Sequence, residues 1–207
     1  MSSGLRFWMQ LGGGVFYLLN KIFFSLKERT VGEISRQWRI WAWIVYIIGL
    51  PFWLVILSHE RNWMVTFVEA GGLPSMLLGL LLAFRREDEN PSPRSNKLET
   101  RLDIFARVAA VLGITISLYD FGGITVVNQW VELGVVVGFL IGTYRLAKDK
   151  LDGYLWFLLM NGSAGVLMYI QDYKWLAVQQ ALSLIFVLDA YRMKRRLQAI
   201  KVSRVRA

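Results

Sequence analysis

Residues 38–84 read WRIWAWIVYIIGLPFWLVILSHERNWMVTFVEAGGLPSMLLGLLLAF. Two apolar runs, Trp38–Leu57 and Trp63–Phe84, are separated only by the polar turn Ser58-His59-Glu60-Arg61-Asn62. A helix rises ~1.5 Å per residue, so each run is long enough to cross a hydrocarbon layer about 30 Å thick. Pro51 falls inside the first run, which is tolerated in a membrane helix when neighbours or waters satisfy the freed carbonyl. The pair predicts a transmembrane helical hairpin with Trp43 and Trp63 near the lipid–water boundaries.

Outward from this hairpin the pattern repeats. Leu102–Tyr119, Ile124–Leu146, Tyr154–Ile170 and Trp175–Tyr191 are further apolar stretches. Arg107, close to the start of the first of these, is long enough to snorkel to the interface. Leu5–Leu26 is interrupted by Gln10, Gly12-Gly13-Gly14, Asn20 and Lys21, and reads either as a span or as an amphipathic helix on the membrane surface. The polar stretch Arg85–Arg101, with Pro91-Ser92-Pro93, reads as a solvated linker. Of the 207 residues 55% are hydrophobic and 19% charged, and the mean hydropathy is +0.41. Spans and short loops use up the chain, which leaves one membrane domain and no room for a soluble catalytic domain. The start, Met1-Ser2-Ser3-Gly4-Leu5-Arg6, has no small-residue cleavage pattern, so a removed signal peptide is not expected.

Basic residues crowd alternate gaps. Lys27, Arg29, Arg36 and Arg39 follow the first stretch; Arg85, Arg86, Arg94, Lys97 and Arg101 follow the third; Arg145, Lys148 and Lys150 follow the fifth. The tail carries Arg192, Lys194, Arg195, Arg196, Lys201, Arg204 and Arg206, whereas the gaps between hold only Arg6, Arg61 and Lys174. The positive-inside rule then places the N-terminus outside and the C-terminus inside the cytoplasm. Seven spans satisfy this; six, without Leu5–Leu26, are also consistent with the rule, with the N-terminus then in the cytoplasm. The net charge of +9 is explained by topology and by anionic lipid at the tail, and nucleic acid is not expected as a partner.

Tryptophans also mark an internal echo. Trp43 and Trp63 bracket one hairpin, Trp156 and Trp175 another, and a glycine follows the first Trp of each by six residues, at Gly49 and Gly162. The reading is an all-α, polytopic membrane protein of two parallel three-helix units, 1–84 and 124–191, joined by a linker helix at 102–119 and closed by a basic tail at 192–207. Carriers with such repeats bind solute near the midplane between the halves, which rock around it.

Intramembrane polar residues default to functional candidates. Asn161, flanked by Gly162, Ser163 and Gly165 that permit close helix approach, either binds a polar solute or joins helices. Gln179 and Gln180 are adjacent, so they cannot both face one side. Gln129 and Glu132 share a helix face, and Glu69 falls roughly where Gln180 falls in the echo. The two acids serve proton coupling, bind a cation, or are interfacial carboxylates. Trp43, Trp53, Trp130, Trp156 and Tyr169 are candidates for stacking on a flat ring, Trp43 and Trp156 foremost. Asp189 is expected to pair with Arg192 or Arg196, and His59 to be a solvated loop residue. Enzymatic chemistry is not expected: there is no Cys, a single His, no carboxylate pair at midspan and no phosphate-binding glycine loop, so neither a cofactor nor a metal is implied.

Residues 131–196 carry a family likeness. Glu132-Leu133-Gly134, Tyr144-Arg145-Leu146-Ala147-Lys148-Asp149-Lys150, Tyr154-Leu155-Trp156 through Asn161, Leu167-Met168-Tyr169-Ile170-Gln171-Asp172-Tyr173-Lys174 and Ala190-Tyr191-Arg192 resemble the bacterial B3-vitamin transporters, which take up nicotinamide riboside or nicotinamide mononucleotide and are similar to the SWEET sugar carriers. Departures are the absence of a closing Trp after Phe84 and Tyr191, and the spacing of Asn161 five residues after Trp156. The resemblance implies a facilitative carrier in the bacterial inner membrane, a small vitamin nucleoside as solute, and association into a homo-oligomer such as a trimer. On it, Asn161, Gln180, Trp156, Trp43, Glu132, Gln179, Tyr169 and Glu69 are the expected solute contacts, with carboxylates and Trp faces suited to a cationic pyridinium. A related carrier of sugar or another small solute, or a non-transport membrane protein of the same fold, are the alternatives.

Overall fold

The structure is a computed structural model that describes residues 3–84, 93–147 and 150–206. Among these there are seven helices and no strand: α1 Ser3–Arg29, α2 Gly32–His59, α3 Trp63–Phe84, α4 Pro93–Phe121, α5 Val127–Ala147, α6 Gly153–Ile170 and α7 Lys174–Arg206. Four are long and apolar enough to cross a membrane: α2, α3, the Thr100–Phe121 part of α4, and α6. The polar residues that interrupt the other three are Gln10, Asn20 and Lys21 in α1, Gln129 and Glu132 in α5, and Gln179 and Gln180 in α7.

Polarity is arranged inside out. Asn20, Glu69, Gln129, Glu132, Asn161, Gln179 and Gln180 are buried, while Leu81, Val108, Val111, Leu159 and Ile185 are exposed. A water-soluble fold of this composition would hide the second group first. The distribution is that of a protein whose outer solvent is hydrocarbon, where polar groups must be satisfied within the protein.

Two elements differ from expectation. The stretch expected to be a solvated linker is helical from Pro93 onward. Proline fits the first helical position because that N–H has no intrahelical partner anyway; residues 85–92 of the stretch lie outside the described residues. The basic tail likewise continues α7 to Arg206 instead of leaving it at Tyr191.

α1 packs along α2 and α7, α2 on α3, α5 on α6, and α6 on α7; α3 meets α5, and α4 lies against α3 and α5. The helices 1-2-3-5-6-7 thus form a ring, with α4 outside it. Directions follow from the contacts. Arg6 near the start of α1 donates to the carbonyl of Gln171 just before α7, and Arg29 at its end reaches Asp189. α1 and α7 therefore run the same way for their shared length. α1 lies along α2 and α7 over most of its length.

Small residues set the closest approaches. Ala106, Ala109 and Gly113 of α4 meet α3 at Gly71 and at the backbone of Trp63 and Met64. Gly138 of α5 lies against the backbone of α6: a Cβ there would sit 2.7 Å from the Met160 nitrogen and from the Trp156 carbonyl oxygen. Gly162, expected to admit a neighbouring helix, has open space where its Cβ would be; Gly165 and Ser163 make the contacts, to Gln180 and Gly134.

The two tight turns have one geometry. After α2 and after α6 the chain passes through a left-handed residue that is not glycine, Arg61 (φ 57°) and Asp172 (φ 61°), positions 111 residues apart. The amide of Asn62 donates to the Leu57 carbonyl at 2.8 Å, and that of Tyr173 to the Met168 carbonyl at 2.8 Å. Both turns are Schellman endings, built without the glycine that usually relieves the steric cost.

These packings give an expectation for stability. Gly138→Leu wedges α5 from α6 and destabilises by about 1–3 kcal/mol, read as a lower midpoint of thermal unfolding in detergent. Gly162→Ala, in open space on a helix, leaves the midpoint unchanged or raises it.

Candidate functional site

At the end of the ring where these two turns lie, the side chains tie the turns together. Asn62, buried, and Gln171 exchange amide hydrogen bonds: Asn62 Nδ2 donates to Gln171 Oε1 at 2.9 Å and Gln171 Nε2 to Asn62 Oδ1 at 2.8 Å. Around this pair Arg6 donates to the Gln171 carbonyl at 3.0 Å and lies 4.2 Å over the Tyr173 ring, while the Tyr173 hydroxyl donates to Glu60 Oε1 at 2.5 Å. Burial and the Glu60 carboxylate push the Tyr173 phenol well above its ordinary pKa, so it remains a donor throughout the physiological range. Arg61 meanwhile pairs with Asp120, which also accepts from Trp63 Nε1 at 2.7 Å and anchors α4 to the same end.

Deeper in the ring lies a carboxylate held by two phenols. Glu69 of α3 accepts from Tyr17 Oη of α1 at 3.0 Å and from Tyr46 Oη of α2 at 2.7 Å, both on Oε2. The tyrosine rings are 4.7 Å apart and Trp53 stands 5.1 Å from Tyr17, its indole N–H donating to the Gly13 carbonyl at 3.2 Å. One turn along α1 from Tyr17, Asn20 donates to the Ala42 carbonyl at 2.9 Å. Lys21, half-buried, places its ammonium 5.6 Å over the Phe157 ring of α6 and within electrostatic reach of Glu69. The cluster therefore joins α1, α2 and α3 and touches α6.

Glu69 is the expected residue around which others gather. Tyr17, Tyr46 and Lys21 were not among the expected contacts. The signal for Tyr17 and Lys21 is present in the sequence as a stripe at helical spacing on α1, Gln10, Gly13-Gly14, Tyr17 and Asn20-Lys21; Tyr46 has no such signal in α2.

The remaining expected residues separate. Glu132 is buried but committed: its Oε2 accepts from the backbone amides of Met64 at 3.0 Å and Val65 at 3.4 Å, at the open N-terminus of α3. A carboxylate there satisfies helix-end donors and complements the helix dipole. Gln129 is committed too, accepting from Thr125 and Val126 amides and donating to Ser117 and to the Gly123 carbonyl. Asn161 donates to the Phe157 carbonyl of its own helix at 2.6 Å. Gln179 donates to Ser183 at 2.7 Å and packs on Gly14 of α1; Gln180 lies beside Gly165 of α6. The Oε1 atoms of Gln179 and Gln180 are both buried and have no hydrogen-bond partner among the described residues. Trp43 packs on Gly79 of α3 and edge-on to Phe24 of α1, and Trp156 lies against Gly142 of α5. Tyr169, 72% exposed, projects away from the interior, and Trp130 is exposed as well. Both lie on the outer surface of the helices, not inside the ring.

At the opposite end of the ring Asp189 accepts from Ser25 at 2.6 Å and from Arg29 Nη2 at 2.7 Å. The expected partners Arg192 and Arg196 share its helix, but α1 supplies closer donors. Among the described residues no three His, Cys, Asp or Glu side chains are placed to hold a metal ion.

No family model, curated protein or solved structure matches this chain.

The two buried acids are expected to respond differently to substitution. Glu132→Ala leaves two α3 amides without an acceptor and lowers stability by about 1–3 kcal/mol, measured as the unfolding midpoint. An unchanged midpoint would show that the contact to Met64 and Val65 contributes nothing.

Proposed function

We propose that this chain is a membrane carrier of a small aromatic solute, with nicotinamide riboside or a related vitamin nucleoside as the leading cargo. In this reading all seven helices cross the membrane, N-terminus outside and C-terminus inside. α1–α3 and α5–α7 are two parallel units joined by α4. The recurrence of the same turn at 61 and 172 supports the repeat, and so does the order of neighbours around the ring. The same recurrence puts Glu69 and Gln180 at corresponding positions, in agreement with the echo, and shifts Trp43 and Trp156 two places out of register. The bacterial inner membrane, anionic lipid along the basic end of α7, and self-association belong to the same proposal.

The observation that carries it is the polar interior. A carboxylate with two phenols, a lysine, and two buried amide oxygens without partners lie inside a ring of apolar helices, where unsatisfied oxygens are costly. A solute with hydrogen-bond donors offsets that cost. The Asn62–Gln171 pair closes one end of the ring, so in this reading it is the gate toward the outside, and its rupture admits solute.

A second reading rests on the committed side chains. Gln129, Glu132 and Asn161 spend their bonds on holding helices, as they would in a membrane protein with no cargo.

Thermal stabilisation of the purified protein separates the readings. Nicotinamide riboside at about 100 times its Kd adds about 2.7 kcal/mol to the native state, and the shift is lost together with uptake in Asn161→Leu/Gln180→Leu. A shift with a hexose and none with the riboside favours the sugar carrier; no shift with either favours the non-transport protein.

A further inference from the structure

Glu69 has two inequivalent oxygens. Oε2 is saturated by the hydroxyls of Tyr17 and Tyr46, whereas Oε1 accepts no hydrogen bond among the described residues. A lone pair left open on an otherwise buried acid, in a ring where water is scarce, is a place for a small cation. An organic cation fits it poorly. The rings of Tyr17, Tyr46 and Trp53 are already in contact, at 4.7 and 5.1 Å between centroids, leaving no slot for another ring between them. The Lys21 ammonium also sits close enough to repel a second positive charge. A proton needs no room.

We propose that Glu69 is a proton-binding site: Oε1 takes a proton from water at one end of the ring and returns it to water at the other, so that solute movement is coupled to proton movement. This inference rests on the carrier reading for its coupling, although not for the proton site. The step forms and breaks one O–H bond and needs no redox partner. Its energetic basis is that a carboxylate away from water is expensive to move, and a protonated one is not.

The neighbours make Glu69 the acid able to do this. From α1 it is faced by Tyr17 and Lys21, and from α2 by Tyr46. From α4 the packing residues are Ala106, Ala109 and Gly113; the charged groups beside them along that helix are Asp103 and Arg107, paired with each other, and at its turn Asp120, held by Arg61. From α5 the charged neighbour is Glu132, whose Oε2 is occupied by the α3 amides. At the corresponding position of the second unit stands Gln180, an amide that cannot exchange a proton. The two units therefore differ in chemistry where they match in place: one carries the proton site, the other does not.

Infrared difference spectra of the reconstituted protein, recorded without solute as pH is stepped down, test the site. The carbonyl stretch of a protonated, buried carboxylic acid is expected to grow in, to be absent from Glu69→Gln and to persist in Glu132→Gln. A band that survives Glu69→Gln overturns the proposal. Should Glu69→Gln fail to fold, Tyr17→Phe/Tyr46→Phe keeps the rings and removes both donors to the carboxylate. The acid band then persists to higher pH by about one unit or more, and a titration identical to the parent's overturns the assignment. Nicotinamide riboside uptake into proteoliposomes under an imposed pH gradient tests the coupling: sensitivity to the gradient is lost in Glu69→Gln. Solute binding without an acid band at Glu69 defeats this inference and leaves the carrier; the band without solute binding defeats the carrier and leaves the proton site.

Discussion

The closure of the ring by α1 is the constraint on which the rest depends. α1 is among the less apolar helices, yet it joins α2 to α7 and is fixed at both ends, by Arg6 on the Gln171 carbonyl and by Arg29 and Ser25 on Asp189. Without it Glu69 would lose Tyr17 and Lys21, and the polar groups of α7 would face lipid. Its polarity is thus part of the reason for its place: Asn20 and Lys21, which weaken it as an isolated span, meet the Ala42 carbonyl and the Phe157 ring once the ring is closed.

Inside that ring two kinds of polar residue share one setting and do different work. Glu132 and Gln129 are caps; they satisfy backbone groups that α3 and α5 leave open. Gln179 and Gln180 keep buried oxygens that meet no partner among the described residues, and Glu69 takes both of its hydrogen bonds on one oxygen. Saturation is what separates a structural polar group from one available to a solute or a proton, because an unmet buried acceptor is a standing cost that a ligand can relieve.

Much of the fold was legible in the chain. The apolar runs and their short turns gave all seven helices, but α2 and α4 begin earlier, at Gly32 and Pro93, and α7 runs on to Arg206, because polar residues extend a helix that apolar pattern alone cannot bound. Longer-range facts were not legible. Tyr17 and Glu69 are 52 positions apart, and Arg29 and Asp189 are 160 apart; no local pattern encodes such partners. Glu132 looked like a ligand because sequence does not show the bare helix end it faces. Tyr169 and Trp156 looked alike as aromatics, and only the rotation of α6 puts one outside and the other against α5.

In the proposed carrier, solute passes through the ring once the tie between the two turns is broken. The protein has no native cysteine, so Asn62→Cys/Gln171→Cys can be bridged across the closed end by a short, reducible bis-thiol reagent. Uptake of labelled nicotinamide riboside into proteoliposomes is the measurement. Uptake is expected before bridging, with its loss on bridging and its return on reduction. Undiminished uptake with the two turns bridged would contradict it.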